Sequence, residues 1–446
     1  MTDLNDSLRA PSSRHAKTRG KRRNSLRVSA LLLLVLICCG RSSAYSVLTH
    51  EEIVDLLWTS EIRVLLLDRY PDLTEDQIKE AHAYAYGGSV IQDLGYYPFG
   101  DKKFSNLVHY VRSGDFVQEL VLESRDANEY AFALGALSHY AADIAGHPAV
   151  NQAVAIHYPK LRAKYGRSVR YAQDTSAHLK TEFGFDTLQV AKNRYASDQY
   201  HNFIGFKVAE TLLERVFPVV YGLPLKEVLP NEELAIGSYR FFISRLIPEM
   251  TQVALEEHKK DLIRETPDFA RQKFLYHLKR TDYEREFGKT YTKPGLGTRI
   301  LALMLQLIPK IGPFKALGFN SPTPQTEDLY IKSIDATVDH YRAFLESARV
   351  GKLVLSNYDL DSGNITQAAE YSLTDETYAN LLAELSKGNF DQTSTQLQSN
   401  ILGFYADPSL PIETKKDANR WLAVQTDLNQ LKVAKLLPAA QLRTAQ

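Results

Sequence analysis

The sequence predicts an all-α protein, on three observations. Apolar residues recur at helical spacing, helix-capping signatures stand at the heads of those stretches, and no region sustains the period-2 alternation of a half-buried strand. The 446 residues are 44% hydrophobic and 10% aromatic, enough for one large core or two domains and unlike a disordered chain.

The elements follow in chain order. Thr49-His50-Glu51-Glu52 reads as a capping box, with the Thr hydroxyl on the Glu52 amide and Glu52 reaching back. Ile53, Val54, Leu56 and Leu57 supply the apolar face behind it. A second helix starts near Asp126, with Glu129 three residues on, and runs through Phe132, Leu134, Leu137 and His139 to a stop around Gly146 and Pro148. Asp174 or Thr175 caps a third, which carries His178 and Glu182. Further helices are expected over 203–216, 231–262, 326–349 and 374–387. Ser321-Pro322-Thr323-Pro324 breaks the chain before the last of these, and 351–373 reads as loop.

Charge is unevenly placed. The chain has 53 Lys/Arg and 53 Asp/Glu, but residues 1–44 hold nine of the bases against Asp3 and Asp6. The remainder is mildly acidic, with no overall field to attract nucleic acid, so no stable nucleic-acid partner is expected. The N-terminus itself reads as an export signal: a basic stretch to Arg27, an apolar run from Ala30 to Cys39, then Ser42-Ser43-Ala44. That run is shorter than the roughly 20 residues that span a bilayer. Residues 1–44 are therefore taken as a signal peptide and the protein as exported, periplasmic or extracellular. Cys38 and Cys39, the two cysteines, both lie in this segment. After its removal any metal must be held by His, Asp and Glu.

Such residues are spaced as ligands. His139 and Asp143 are four apart, so on a helix they share a face and can chelate one ion. His147 continues the series, although Pro148 is expected to place it just past the helix end. Taken alone, one such pair is equally the mark of a core histidine at a polar helix end. His178 and Glu182 repeat the spacing, and Asp186 follows four later. Gln92-Asp93-Leu94-Gly95 puts an acid in a turn, with His109 sixteen residues on. Cleavage after Ala44 makes Tyr45 the first residue and His50 the sixth; a free α-amine, with a pKa of roughly 8, is a competent nitrogen ligand.

In order and spacing these residues resemble the ligand set of the zinc-dependent phospholipase C family, a superfamily shared with single-strand-specific zinc nucleases. Ser138 to His147 and Ala177 to Asp186 are most similar to the phospholipase C/D branch, the kind of domain found in glycosylphosphatidylinositol-specific phospholipase D. The resemblance covers roughly residues 45–260. Tyr45 stands where the secreted bacterial members begin with Trp, and the gap from Asp143 to His147 is shorter than theirs; both departures place the chain nearer the C/D branch.

The resemblance implies a multi-helix bundle of the zinc-dependent phospholipase C type, with a catalytic domain over 45–264 and additional C-terminal helices over 265–446, an extension of unknown role. It implies two or three zinc ions: one on Asp93, His109, His139 and Asp143, a second on His147, His178 and Glu182, and a third on the Tyr45 amine and carbonyl, His50 and Asp143. Asp93 is then the residue that orients or deprotonates the attacking water, and Asp186 an extra ligand or a group that orients a histidine. The expected activity is phosphodiester hydrolysis, with a phospholipid or membrane surface as substrate; a secreted single-strand nuclease and a non-catalytic zinc scaffold are the alternatives. Protein partners are unknown. Other features read more plainly. His82, His157 and His201 pack or face solvent, and Asp359-Leu360-Asp361-Ser362-Gly363-Asn364 is a turn without the glycine and carboxylate pattern of a calcium loop. Ile300–Phe319, apolar with Lys310 and Lys315, is a core-packing helix and turn, or else a patch that docks on a bilayer.

Overall fold

The computed structural model describes residues 47–191, 206–243 and 318–437, together with Ile247 and Thr251. Residues 1–44, read above as a signal peptide, Tyr45, His201, most of 244–262 and Ile300 to Leu317 lie outside the described residues.

Helices make up most of the described chain and strands only four residues of it, in agreement with the all-α expectation. In order they are α1 (Val47–Leu57), a π-helical turn (Trp58–Ile62), α2 (Arg63–Arg69), α3 (Glu75–Ser89), a 3-10 turn (Ile91–Tyr96), α4 (Lys102–Tyr110) and α5 (Ser113–Glu123). Then come α6 (Ala127–His157), α7 (Pro159–Tyr165), α8 (Thr175–Ala191), α9 (Glu210–Tyr221), α10 (Leu225–Val228) and α11 (Glu232–Phe241). After Thr323 follow α12 (Pro324–Arg349), the hairpin β1 (Tyr358–Asp359) and β2 (Asn364–Ile365), α13 (Ser372–Lys387), α14 (Thr395–Phe404) and α15 (Ala418–Val433). The two strands pair antiparallel, Tyr358 opposite Ile365, inside the stretch expected to be loop.

The caps behave as their chemistry dictates at three helix starts. Asp126 accepts the amides of Asn128 and Glu129 at the head of α6, Asp174 accepts that of Ala177 at α8, and Thr323 accepts that of Thr326 at α12. At α1 the expected box does not form. The helix already runs from Val47, and Asp186 of α8 accepts the amides of Leu48 and Thr49 at 3.0 and 3.2 Å. The Thr49 hydroxyl donates to the same carboxylate at 2.6 Å and bonds the Tyr330 hydroxyl of α12. A carboxylate distant in sequence thus supplies the acceptor that a local side chain was expected to give.

Two further differences have local causes. The described part of the 203–216 stretch becomes helical only at Glu210, because Phe206–Ala209 lies non-helical against α3, with the Lys207 amide on the Ala83 carbonyl. And α6 does not stop at Pro148 but continues to His157. Proline removes the hydrogen bond to the carbonyl four residues back, here Ile144. That carbonyl faces Gly363 of the hairpin so closely that a Cβ on the glycine would lie 2.7 Å from it. Gly363 also has φ +71°, a conformation costly for any other residue.

α6 is the core helix, buried on almost every face, with α3 and α12 packed along it. Small residues permit this. A Cβ on Gly88 of α3 would sit 2.0 Å from the Phe132 carbonyl, and one on Gly135 of α6 2.1 Å from that of Ala85, so the two backbones are in direct contact. α12 adds Tyr341, whose hydroxyl donates to the Leu134 carbonyl at 2.9 Å. The described C-terminal helices therefore share one apolar core with the N-terminal ones. Phe319 is buried against Phe183. His82 packs on Trp58 and bonds Asp55 at 3.0 Å, and His157 ends α6 half-buried, as their plain reading required.

Candidate metal centre

Five elements turn polar side chains into the middle of this core. α1 supplies His50, the 3-10 turn Asp93, α4 His109, α6 His139, Asp143 and His147, and α8 His178 and Glu182. All eight are buried. The three on α6 lie four apart on one face, and because the helix continues through Pro148, His147 points from a regular turn. Asp186, by capping α1, fixes the turn that carries His50.

Asp143 is the centre of the arrangement. Its Oδ1 lies 3.8 Å from His50 Nε2. Its Oδ2 lies 3.0 Å from His139 Nε2, 3.6 Å from His109 Nε2 and 4.0 Å from His147 Nε2. His109 Nε2 is in turn 3.5 Å from Asp93 Oδ1. Two donors about 2.1 Å from one tetrahedral ion lie about 3.4 Å apart, so most of these separations are those of co-ligands, and wider than ordinary hydrogen bonds. Donor atoms fall within 4.8 Å of one another in two groups, His50–His139–Asp143 and Asp93–His109–His139.

The backbone sets the histidine tautomers. His139 Nδ1–H donates to the Ser89 carbonyl at 2.9 Å and His109 Nδ1–H to that of Ser105 at 2.7 Å. Each leaves an Nε2 lone pair directed at the carboxylates, the outer contact that ligating histidines usually make. Asn151 Oδ1 (2.7 Å) and the Val169 carbonyl (3.0 Å) hold His178 Nε2–H, so Nδ1 faces Glu182 Oε1 at 3.0 Å.

In the metal-free centre, burial and the neighbouring carboxylates pull the imidazoles in opposite directions. Burial, then the charges of neighbouring histidines, holds His50 and His147 well below the usual imidazole range. Burial brings His178 down to about 4 against the pull of the Val169 carbonyl and Asp174. His109 goes the other way, to about 9: burial opposes its charge, but the hydrogen bond and charge of Asp93, with Asp143 and Asp361 beyond, outweigh it. Glu182 is pushed well up by burial and by the charges of Asp93, Asp361, Asp143 and Asp186.

Such a cluster fits a divalent cation. Both oxygens of Asp143, His139 Nε2 and both ring nitrogens of His147 are buried and make no hydrogen bond among the described residues. Buried polar atoms rarely go unsatisfied. The ion-pair contacts of Asp143 and Glu182 are all to histidines, none to Lys or Arg, among the described residues. Hard oxygen and imidazole donors without thiolate suit zinc.

The expected second ligand set is looser than the first. His147 and His178 have ring centroids 5.9 Å apart, and with Glu182 they form no group of the closeness described above. Asp186 is a helix cap, not a donor to the centre. A residue that sequence reasoning passed over enters instead: Asp361 Oδ1, from the hairpin between α12 and α13, lies 3.7 Å from His147 Nε2. Its sequence signal was only a pair of acids two apart in a turn, which no helical spacing connects to the rest.

Comparison with known proteins places residues 49–231 under the family model described as zinc dependent phospholipase C. No curated protein and no solved structure matches the chain.

Proposed function

We propose, from the match of residues 49–231 to the family model described as zinc dependent phospholipase C, that the chain is a zinc-dependent phosphodiester hydrolase whose substrate is phospholipid at a membrane surface. The observation that carries the reading is the Asp143 carboxylate, buried, without a hydrogen bond, and turned with one oxygen to His50 and the other to His139, His109 and His147. That is how a carboxylate shared between ions is presented.

The proposed holders are Asp93, His109, His139 and Asp143 for one zinc, His147, His178 and Glu182 for a second, and His50 with Asp143 for a third, completed by the Tyr45 amine after processing. Zinc bound there supplies Lewis acidity, neutralising phosphate charge and lowering the pKa of water from about 15.7 toward about 7. The protein's part is positional. The Ser89 and Ser105 carbonyls keep His139 and His109 in the tautomer that offers Nε2. Asp93 Oδ1, beside His109, is the proposed acceptor of the proton of the attacking water. Tyr96, Tyr110, Tyr171 and Tyr371 around the centre are buried, which suits a lining better than the open platforms on which bases stack. The basic and then apolar N-terminus supports export as the setting.

The test is turnover of phosphatidylcholine vesicles and of single-stranded DNA by the processed protein, with and without a chelator. Chelator-sensitive release from lipid is expected, diacylglycerol marking C-type and phosphatidic acid D-type scission. DNA turnover without lipid turnover makes it a nuclease. Retained zinc with neither activity makes it a scaffold. Full activity in chelator removes the zinc reading.

A further inference from the structure

Among the described residues, the C-terminal region outside the family-matched segment brings a carboxylate to the metal centre at the turn between β1 and β2. Asp361 is buried there, and its two oxygens face different neighbours. Oδ2 accepts the hydroxyls of Tyr110 at 2.8 Å and Tyr371 at 2.6 Å. Oδ1 is turned to His147 Nε2 at 3.7 Å, a co-ligand separation and too long for a hydrogen bond. Both ring nitrogens of His147 are without a hydrogen bond among the described residues, so the two groups face each other with no hydrogen bond between them.

The surrounding backbone holds the turn to this place. The Leu360 amide donates to the carbonyl of His109, and the Asp361 carbonyl accepts Asn151 Nδ2 at 3.0 Å. The same Asn151 receives His178 Nε2–H through its Oδ1, so one side chain ties the hairpin to His178. Upstream, the Ser356 carbonyl accepts the Tyr140 hydroxyl and the Tyr358 carbonyl accepts that of Ser113. Gly363 permits the final approach to α6 that any Cβ would block.

We infer that Asp361 is a metal donor on the His147 side of the centre, so that the hairpin of the C-terminal region completes a site whose other donors come from α1 to α8. The inference rests on the zinc reading above. It explains why His147, His178 and Glu182 do not converge by themselves: the donor that closes on His147 arrives from elsewhere in the chain. It also gives the C-terminal region a role in the chemistry in addition to its share of the core.

The test compares zinc content after dialysis, zinc affinity by competition with a chelating dye, and the melting temperature of the metal-free protein, for the wild type, Asp361→Asn and Asp359→Asn. Asp361→Asn keeps an oxygen for the two phenols and withdraws the negative charge facing His147. It is expected to weaken zinc binding by roughly 10–100-fold, or to lose one equivalent, with the metal-free melting temperature held. Asp359, whose carboxylate accepts the Thr374 hydroxyl and the Ser362 amide, serves as the structural control. Its variant is expected to melt lower and keep its zinc affinity. Wild-type zinc binding in Asp361→Asn overturns the inference, as does equal zinc loss in both variants, which would make the effect one of hairpin shape. A wild type that takes up no zinc overturns the underlying reading as well, and is seen at the first measurement. Should Asp361→Asn not fold, hydrogen exchange on the wild type decides: zinc is expected to slow the amides of 358–365, and unchanged exchange there overturns the inference.

Discussion

Removing the charge of Asp143 while keeping its shape separates its two tasks. In Asp143→Asn the amide cannot offer anionic oxygens to His50 on one side and to His139, His109 and His147 on the other. Zinc content is expected to fall and phosphodiester turnover to drop by at least about 10³-fold, the scale on which lost electrostatic groups act. Because the carboxylate makes no hydrogen bond among the described residues and its burial is costly, the metal-free variant is expected to melt no lower than the metal-free wild type. A large loss of metal-free stability with zinc retained would make Asp143 a folding residue instead. His109 supplies the pH dependence. Its proton, held up to about 9 by Asp93 and the other carboxylates against burial, must leave before Nε2 can bind an ion. Zinc affinity is therefore expected to rise with pH, by up to tenfold per unit from this group below about 9, and then level off. In the metal-free protein the sign reverses. A folded pKa above the unfolded imidazole value of about 6.5 stabilises fully below 6.5, and that contribution is lost as pH rises through about 9. Zinc titrations at pH 6, 7 and 8 check the first statement, and chemical denaturation of chelated protein from pH 6 to 10 checks the second.

The helices that carry the centre are placed by contacts that tolerate little change. α3 and α6 meet backbone to backbone at Gly88 and Gly135, where a Cβ would lie about two-thirds of the way to contact distance. Gly135→Leu must push α3 away, and is expected to cost about 3 kcal/mol or more, read as a lower denaturation midpoint. It also moves Ser89, whose carbonyl sets His139, so zinc affinity is expected to fall with stability. Asp186→Ala is a gentler probe. It leaves the first amides of α1 without their acceptor, at a cost of about 1–2 kcal/mol. How far these elements could be read in advance follows from where their determinants lie. Asp126 and Asp174 cap from the adjacent residue, so the starts of α6 and α8 were legible, and the i, i+4 spacing displayed His139 with Asp143 and His178 with Glu182. The head of α1 was not, because Thr49 gives its hydroxyl to Asp186 and Tyr330, partners 137 and 281 residues away. The passage of α6 through Pro148 sets the Ile144 carbonyl against Gly363 of a distant hairpin, and Asp361 reaches His147 through that hairpin, which no periodicity announces. Local chemistry was visible, and long-range completion was not.

At the scale of the whole molecule, one core joins helices from both ends of the described chain, and the metal centre lies among them. Asp93, Asp143, Glu182 and Asp361 are buried together, and without a cation their mutual repulsion and desolvation oppose folding. A ligand that binds only the folded state adds RT ln(1 + [L]/Kd), or about 4 kcal/mol at a thousandfold excess over Kd. Chelation is therefore expected to lower the melting temperature by several degrees, and stoichiometric zinc to restore it. The form of the change is the sharper part of the prediction. Donors come from α1, the 3-10 turn, α4, α6 and α8, and α12 and the hairpin pack directly on these elements. Destabilising the centre cannot therefore loosen one end of the chain and leave the other. Calorimetry is expected to show one transition that shifts as a unit between zinc-loaded and chelated protein. A second, metal-insensitive transition would mean that α12 to α15 fold independently of the centre. In that case the contacts of Tyr330, Tyr341 and Asp361 with the N-terminal helices would be a docking of separate bodies, not parts of one cooperative core.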